Sequence, residues 1–144
     1  MAMHIRTFRE ADRTALLALW EACALTRPWN DPGRDVDLCL ESRESTLLVG
    51  TKDDRLVASV MAGSDGHRGW IYYLAVDPNA QDRGHGREMM AEAELWLAGR
   101  GVPKVQLMVR GGNTAASDFY AALGYEAQDV TVIGKWIRSD PEAS

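Results

Sequence analysis

The sequence predicts a mixed α/β sheet rather than a doubly wound parallel one. Three observations carry that expectation. Strand-like runs cluster before and after the central helix instead of alternating with helices. Lys52-Asp53-Asp54-Arg55 joins two of those runs as a hairpin. An apolar run ending at Asp77-Pro78 passes through a glycine-bearing loop into a helix. The chain has 144 residues, enough for one domain with a real core. Residues 1–138 are expected to form it, with 139–144 as a polar tail.

Taken in order, His4 to Phe8 alternates and predicts a first strand. Arg9 to Leu25 reads as a helix, with Leu16, Trp20, Cys23 and Ala24 on one apolar stripe. Thr26 to Gly33 is rich in turn residues and holds two prolines, and Asp35 to Arg43 predicts a short second helix. Thr46 to Thr51 and Leu56 to Ala62 are the hairpin strands, followed by a polar turn, Ser64 to Gly69. Trp70 to Val76 is a strand, and a helix bearing Met89, Met90, Ala93 and Leu97 at helical spacing follows it. Lys104 to Val109 is another strand. Asn113 is placed to cap a helix that runs to about Leu123, with Gly124 after its end. Tyr125 to Ile137 predicts a final two-strand hairpin.

The centre of this plan is the stretch Leu74 to Met90. A strand, a glycine loop and a helix start together make an anion site, because the first helical N–H groups lack intrahelical acceptors and the macrodipole is positive there. Gly84 and Gly86 let a phosphate approach the backbone, and Arg83 and Arg87 add charge. A dinucleotide fingerprint would need Gly or Ala where Met89 stands, and a P-loop would need Gly-Lys-Ser/Thr, which is absent.

Composition narrows the partners. A net charge of −5 argues against nucleic acid or an anionic membrane. No apolar run approaches the ~20 residues of a bilayer span, and Met1 to Asp12 lacks the apolar core of a signal peptide. Cys23 and Cys39 are too few for a disulfide framework, so a cytoplasmic protein with reduced thiols is expected. Two separated cysteines and three scattered histidines give no metal-ligand spacing, so no metal is expected.

Gln81-x-x-Gly84-x-Gly86, preceded by Leu74-x-Val76-x-Pro78, resembles the coenzyme A motif of the GNAT N-acetyltransferases. The order of elements matches that fold over nearly the whole chain. The resemblance implies a splayed, mostly antiparallel sheet with helices on both faces, opening between the strands Trp70–Val76 and Lys104–Val109. It implies that backbone groups of Leu74, Ala75 and Val76 hold the pantetheine arm of acetyl-CoA and place an N–H near the thioester oxygen. It further implies that Gln81 and the loop amides of Asp82, Arg83, Gly84, His85, Gly86 and Arg87 take the pyrophosphate. His85 is expected to face solvent. A second match, Asn113-x-x-Ala116-x-x-x-Tyr120-x-x-Leu123-Gly124-Tyr125, puts Asn113 and Tyr120 on one helix face two turns apart. In the family the Asn contacts the cofactor and the Tyr protonates the departing thiolate. A phenol of pKa ~10 is chemically suited to that.

One departure matters. Members resembling the RimI-type enzymes carry a glutamate on the fifth strand as general base. Met108 stands there, and a thioether cannot accept the proton of an ammonium. Others use a glutamate on the fourth strand, where this chain has Tyr72 and Tyr73. So the base lies elsewhere, or a water chain carries the proton, or the amine arrives neutral. The two polar turns offer Asp31, Asp65 and His67 as candidate bases, of which His67 has the pKa suited to neutral pH. The segments Arg27 to Pro32 and Asp65 to Gly69, with Tyr73, most resemble the YpeA-like subgroup. Trp29, Asn30, Asp31, Asp65 and Tyr73 are the expected acceptor contacts, Trp29 as a wall and a carboxylate for an ammonium.

The expected activity is transfer of acetyl from acetyl-CoA to a primary amine, on a small molecule, a peptide or a protein, by direct attack in a ternary complex. A non-catalytic CoA-binding sensor on the same fold is the alternative, and an enzyme for longer acyl chains is a second. A homodimer is compatible with the pattern.

Overall fold

The computed structural model describes residues 2–138, and the expected tail lies outside them. Its contacts divide the chain into two compact units, Met1–Leu107 and Met108–Ser144.

The first unit holds strands β1 (His4–Thr7), β2 (Ser45–Lys52), β3 (Arg55–Ser64), β4 (Gly69–Val76) and β5 (Val105–Leu107), with helices α1 (Arg13–Ala22), α2 (Pro32–Glu41) and α3 (His85–Gly99). The strands lie in chain order in one sheet. β1 to β4 are antiparallel neighbours, and β5 joins β4 in parallel after the α3 crossover.

Alternation along β2 sorts the core. Leu47 and Val49 pack with Leu16, Leu19, Trp20, Val36 and Cys39 of α1 and α2. Gly50 faces α3, where an added Cβ would meet Met89 Sδ at 3.2 Å. On the α3 side of the sheet, α3 buries Met89, Met90, Ala93 and Leu97. Met89, Met90 and Leu97 each contribute roughly 1.5–3 kcal/mol of burial, so the sheet is held by helices on both faces.

Two boundaries shift for local reasons. The first helix is shorter than the apolar stripe implied. A 3-10 turn covers Glu10–Asp12, and Ala24 takes a left-handed φ of +57° that ends the rod. The second helix starts earlier, at Pro32. Asp31 caps it by accepting from the Arg34 N–H at 3.1 Å, and proline suits the first helical position because its missing N–H would lack a partner there.

The second unit holds α4 (Thr114–Ala122). Asn113 Oδ1 accepts from the Ala116 N–H at 3.1 Å, as its cap position predicted. At the other end Tyr125 N–H bonds the Tyr120 carbonyl and Gly124 N–H the Ala121 carbonyl, with Gly124 at φ +96°. This is the Schellman arrangement, and only a residue at ease with positive φ closes it.

The expected final hairpin is a correction: residues 125–138 form no strand. Val130-Thr131-Val132-Ile133-Gly134 breaks alternation with two adjacent apolar residues, so neither face is consistently apolar, and an isolated two-strand ribbon is marginal in water. Val130 and Ile133 are 72% and 90% exposed.

Candidate functional site

β4 opens the sheet. Its pairing with β5 covers Gly69↔Val105, Trp70↔Gln106 and Ile71↔Leu107, so among the described residues Tyr72–Val76 have no strand alongside on that edge. On the β3 side, Ser59 opposes Ala75 and Met61 opposes Tyr72, which sets Tyr73 and Leu74 against Val60 alone. This is a bulge. Tyr73 sits in it with φ +54°, a left-handed conformation that costs a non-glycine residue on the order of 1–2 kcal/mol. The bend explains why the fifth strand stops at Leu107 instead of the expected Val109, with Met108 lying just past it and half-exposed.

Beyond β4, Asp77 folds the chain over by accepting from Asn79 N–H at 2.8 Å, and Gln81 Nε2 returns to the Val76 carbonyl at 3.0 Å. Cys23 Sγ donates to the same carbonyl at 3.2 Å. Asp82 at φ +64° and Gly84 at φ +82° then turn the chain into α3. Gly84 is the N-cap and has no side chain to cap with. The first bond of α3 runs from Glu88 N–H to the Gly84 carbonyl at 3.0 Å, so the amides of His85, Gly86 and Arg87 precede it. Uncapped amides at the positive end of a 15-residue helix form a cradle for an anion. Arg83 and Arg87 are exposed beside it.

His85 corrects the expectation of a solvent-facing ring. It is 6% exposed because, four residues before Met89, it falls on the inner stripe of α3. Among the described residues neither ring nitrogen has a hydrogen-bond partner, and Nδ1 lies 3.5 Å from Glu88 Oε1.

The opposite face of β4 carries a second group of side chains. Trp20 stacks on Tyr73 with ring centroids 3.7 Å apart. Trp20 Nε1 donates to Ser59 Oγ at 2.9 Å, and that hydroxyl donates to the Tyr73 carbonyl at 2.8 Å. The Tyr73 hydroxyl donates to Asp35 Oδ2 of α2 at 2.5 Å. Burial, with Asp35 and Asp31 adding negative charge, pushes the Tyr73 phenol well above its ordinary value. Asp35 was not among the residues the sequence pointed to. It stands 38 positions from Tyr73, on a helix turn where a charge reads as solvated.

The remaining candidates are placed separately. Asp31 is spent on the α2 cap, and Trp29 and Asn30 lie exposed just before it. Asp65 closes the turn before β4. It accepts from His67 N–H, Arg68 N–H and Trp70 Nε1 at 2.9, 2.7 and 3.0 Å, and these bonds lower its carboxyl to about 2. His67 is exposed on that turn, with Nδ1 3.5 Å from an Arg68 guanidinium nitrogen. Four residues of strand, ~13 Å, lead from Gly69 beside this turn to Tyr73.

Neither cysteine is poised for attack. Burial raises both thiols, Cys39 to about 11.

In the second unit, Tyr120 is half-buried between Phe119 and Tyr125, whose rings meet it edge-on at 5.1 and 5.9 Å. Burial raises its phenol, so it stays protonated at neutral pH.

Residues 9–125 match the acetyltransferase (GNAT) family. An acetyltransferase of Pectobacterium atrosepticum is 43% identical over 97% of this chain and 99% of its own. One from Sodalis glossinidius is 43% identical with the same coverage. Among solved structures, the aminoglycoside acetyltransferase AAC(6')-Iy, bound to a CoA-S-monomethyl-acetylneamine bisubstrate analogue, superposes with a TM-score of 0.80 at 15% identity, covering 94% of this chain and 99% of that one. The PaiA N-acetyltransferase of Thermoplasma acidophilum, bound to coenzyme A, gives 0.78 at 16% identity, covering 91% and 94%. The chain belongs to the GNAT family and is an acetyltransferase.

Proposed function

From that membership we propose that the protein moves acetyl from acetyl-CoA to a primary amine by direct attack in a ternary complex, within the YpeA-like subgroup. The observation that carries the donor assignment is the uncapped start of α3 directly after the open edge of β4. The amides of His85, Gly86 and Arg87 fit a diphosphate, with Arg83 and Arg87 adding charge. The edge from Leu74 to Ala75 offers backbone groups to a pantetheine chain. The Val76 carbonyl is already shared by Gln81 and Cys23, so Gln81 acts by holding the loop in place.

Acetyl-CoA supplies an activated thioester, and the protein supplies position. An N–H of β4 faces the developing oxyanion, Tyr120 gives its proton to the leaving sulfur, and Asn113 contacts the cofactor. Trp29, Asn30 and Asp31, on the segment leading into α2, line the acceptor side. The acetylneamine analogue bound by the aminoglycoside enzyme supports a small-molecule amine as acceptor.

The test is calorimetry with CoA followed by thiol release from acetyl-CoA with neamine, a dipeptide and Nα-acetyl-lysine. CoA-dependent heat and amine-dependent thiol are expected. Heat without thiol for any amine returns the protein to a CoA-binding role, and no heat removes the donor assignment.

A further inference from the structure

Acetylation of an amine needs somewhere for the nitrogen's proton to go, and Met108 cannot take it. We propose that Tyr73 and Asp35 form the proton relay of the acceptor amine, an inference that rests on the amine-acetylating reading above. Four observations carry it.

The phenol is held rather than free. Trp20 lies flat against its ring, Ser59 grips its carbonyl, and Asp35 Oδ2 takes its hydroxyl hydrogen. With that hydrogen committed, the Tyr73 oxygen meets an incoming N–H only as an acceptor. Asp35 has a second oxygen, Oδ1, with no hydrogen-bond partner among the described residues, and the residue is half-buried. Tyr73 immediately precedes Leu74 in the bulge, and Leu74 belongs to the part of β4 assigned to the pantetheine and thioester.

The step balances without another reagent. As the amine nitrogen bonds the acetyl carbon, its N–H bond breaks and the proton passes to the Tyr73 oxygen. The original Tyr73 proton moves to Asp35 Oδ2, which becomes a neutral carboxyl and later returns the proton to water. The C–S bond then breaks, the sulfur takes its proton from Tyr120, and the Tyr120 phenolate regains a proton from water. Asp31 bears on Tyr73 from the α2 cap. Across α1, Arg13 is engaged by Glu10, Asp37 and the Gly33 carbonyl. His67 lies beside the Arg68 guanidinium on the turn before β4.

Asp35→Asn keeps an acceptor for the Tyr73 hydroxyl but takes up no proton. Expected is a fall in kcat of about 100-fold or more, loss of the acidic limb of kcat/KM against pH, and unchanged CoA affinity by calorimetry. Asp35→Glu should recover part of the rate. Tyr73→Phe, which keeps the stack on Trp20, should match the Asn variant and carries the test if that variant does not fold. Wild-type rate and pH profile in Asp35→Asn overturn the relay, leave the acetyltransferase reading standing and return the role to His67. A lower rate with an intact acidic limb, or with an equal loss of CoA affinity, overturns it in favour of a strut between β4 and α2. Wild type that binds CoA but releases no thiol with neamine, a dipeptide or Nα-acetyl-lysine overturns both readings together.

Discussion

Trp20 and Tyr73 lie face to face, 11° from parallel, and one buried hydroxyl serves both: Ser59 accepts from the indole N–H and donates to the Tyr73 carbonyl. Ser59 and Trp20 are fully buried. Removing the hydroxyl strands the indole donor in a dry core, so Ser59→Ala is expected to cost about 1–3 kcal/mol of stability. Tyr73 would also lose the clamp on its left-handed backbone, so turnover should fall more than CoA affinity. Urea unfolding midpoints and parallel kinetics check the two halves.

Gly84 caps α3 at φ +82°, and a Cβ added there meets no atom within 4 Å. The cost of Gly84→Ala is therefore torsional, about 1–2 kcal/mol. The new methyl also stands beside amides assigned to the diphosphate. CoA affinity is expected to fall about tenfold, which is ~1.4 kcal/mol, and calorimetry with CoA reads it directly.

Much of this architecture was legible because it is written in local chemistry. The Gly84–Gly86 loop, the Asn113 cap and Gly124 each state their backbone need within four residues. Asp31-Pro32 carried an equally local helix-start signal, but Pro28 nearby made the whole stretch read as turn. His85 was misplaced because residue type suggested water while its spacing from Met89 pointed inward, and spacing won. The Tyr125–Ile137 hairpin failed for the opposite reason. Strand-forming residues were present, but adjacent Val132 and Ile133 denied them one apolar face. The Tyr73–Asp35 bond joins residues 38 apart and depends on a bulge, and no window of sequence contains both causes.

Asp65 sets an acid sensitivity. Hydrogen bonds from Arg68 N–H, the Trp70 indole and His67 N–H lower its carboxyl to about 2, against ~3.9 in an unfolded chain. A depressed folded pKa contributes stability that is complete above the unfolded value and lost as pH falls through the folded one. The turn before β4 should therefore loosen between about pH 4 and 2. Asp65→Asn is expected to flatten that part of the stability profile, and thermal melts across this range would show it.

Asn113 serves two proposed purposes that substitution can separate. As N-cap it satisfies the Ala116 N–H, worth about 0.5–2 kcal/mol against alanine. As a cofactor contact it would use its amide N–H₂. Asn113→Ser keeps the cap and discards the amide, whereas Asn113→Ala discards both. Serine is expected to restore the melting temperature but leave KM for acetyl-CoA raised. A serine variant with wild-type KM would confine Asn113 to capping.

Tyr120 is expected to act on the leaving group alone. Its phenol is raised by burial, so across pH 6 to 9 the proton is present and available to a departing thiolate. Tyr120→Phe keeps the ring between Phe119 and Tyr125 and removes only the hydroxyl. Ground-state binding of acetyl-CoA should not change, because the thiolate exists only after attack. The loss belongs to kcat, on the order of 10²–10⁴-fold if protonation limits the rate. A thioester with a more acidic thiol needs less help in departing, so the defect should shrink with such a donor. Equal defects for both donors, or a matching loss of CoA affinity, would remove Tyr120 from the proton-transfer step.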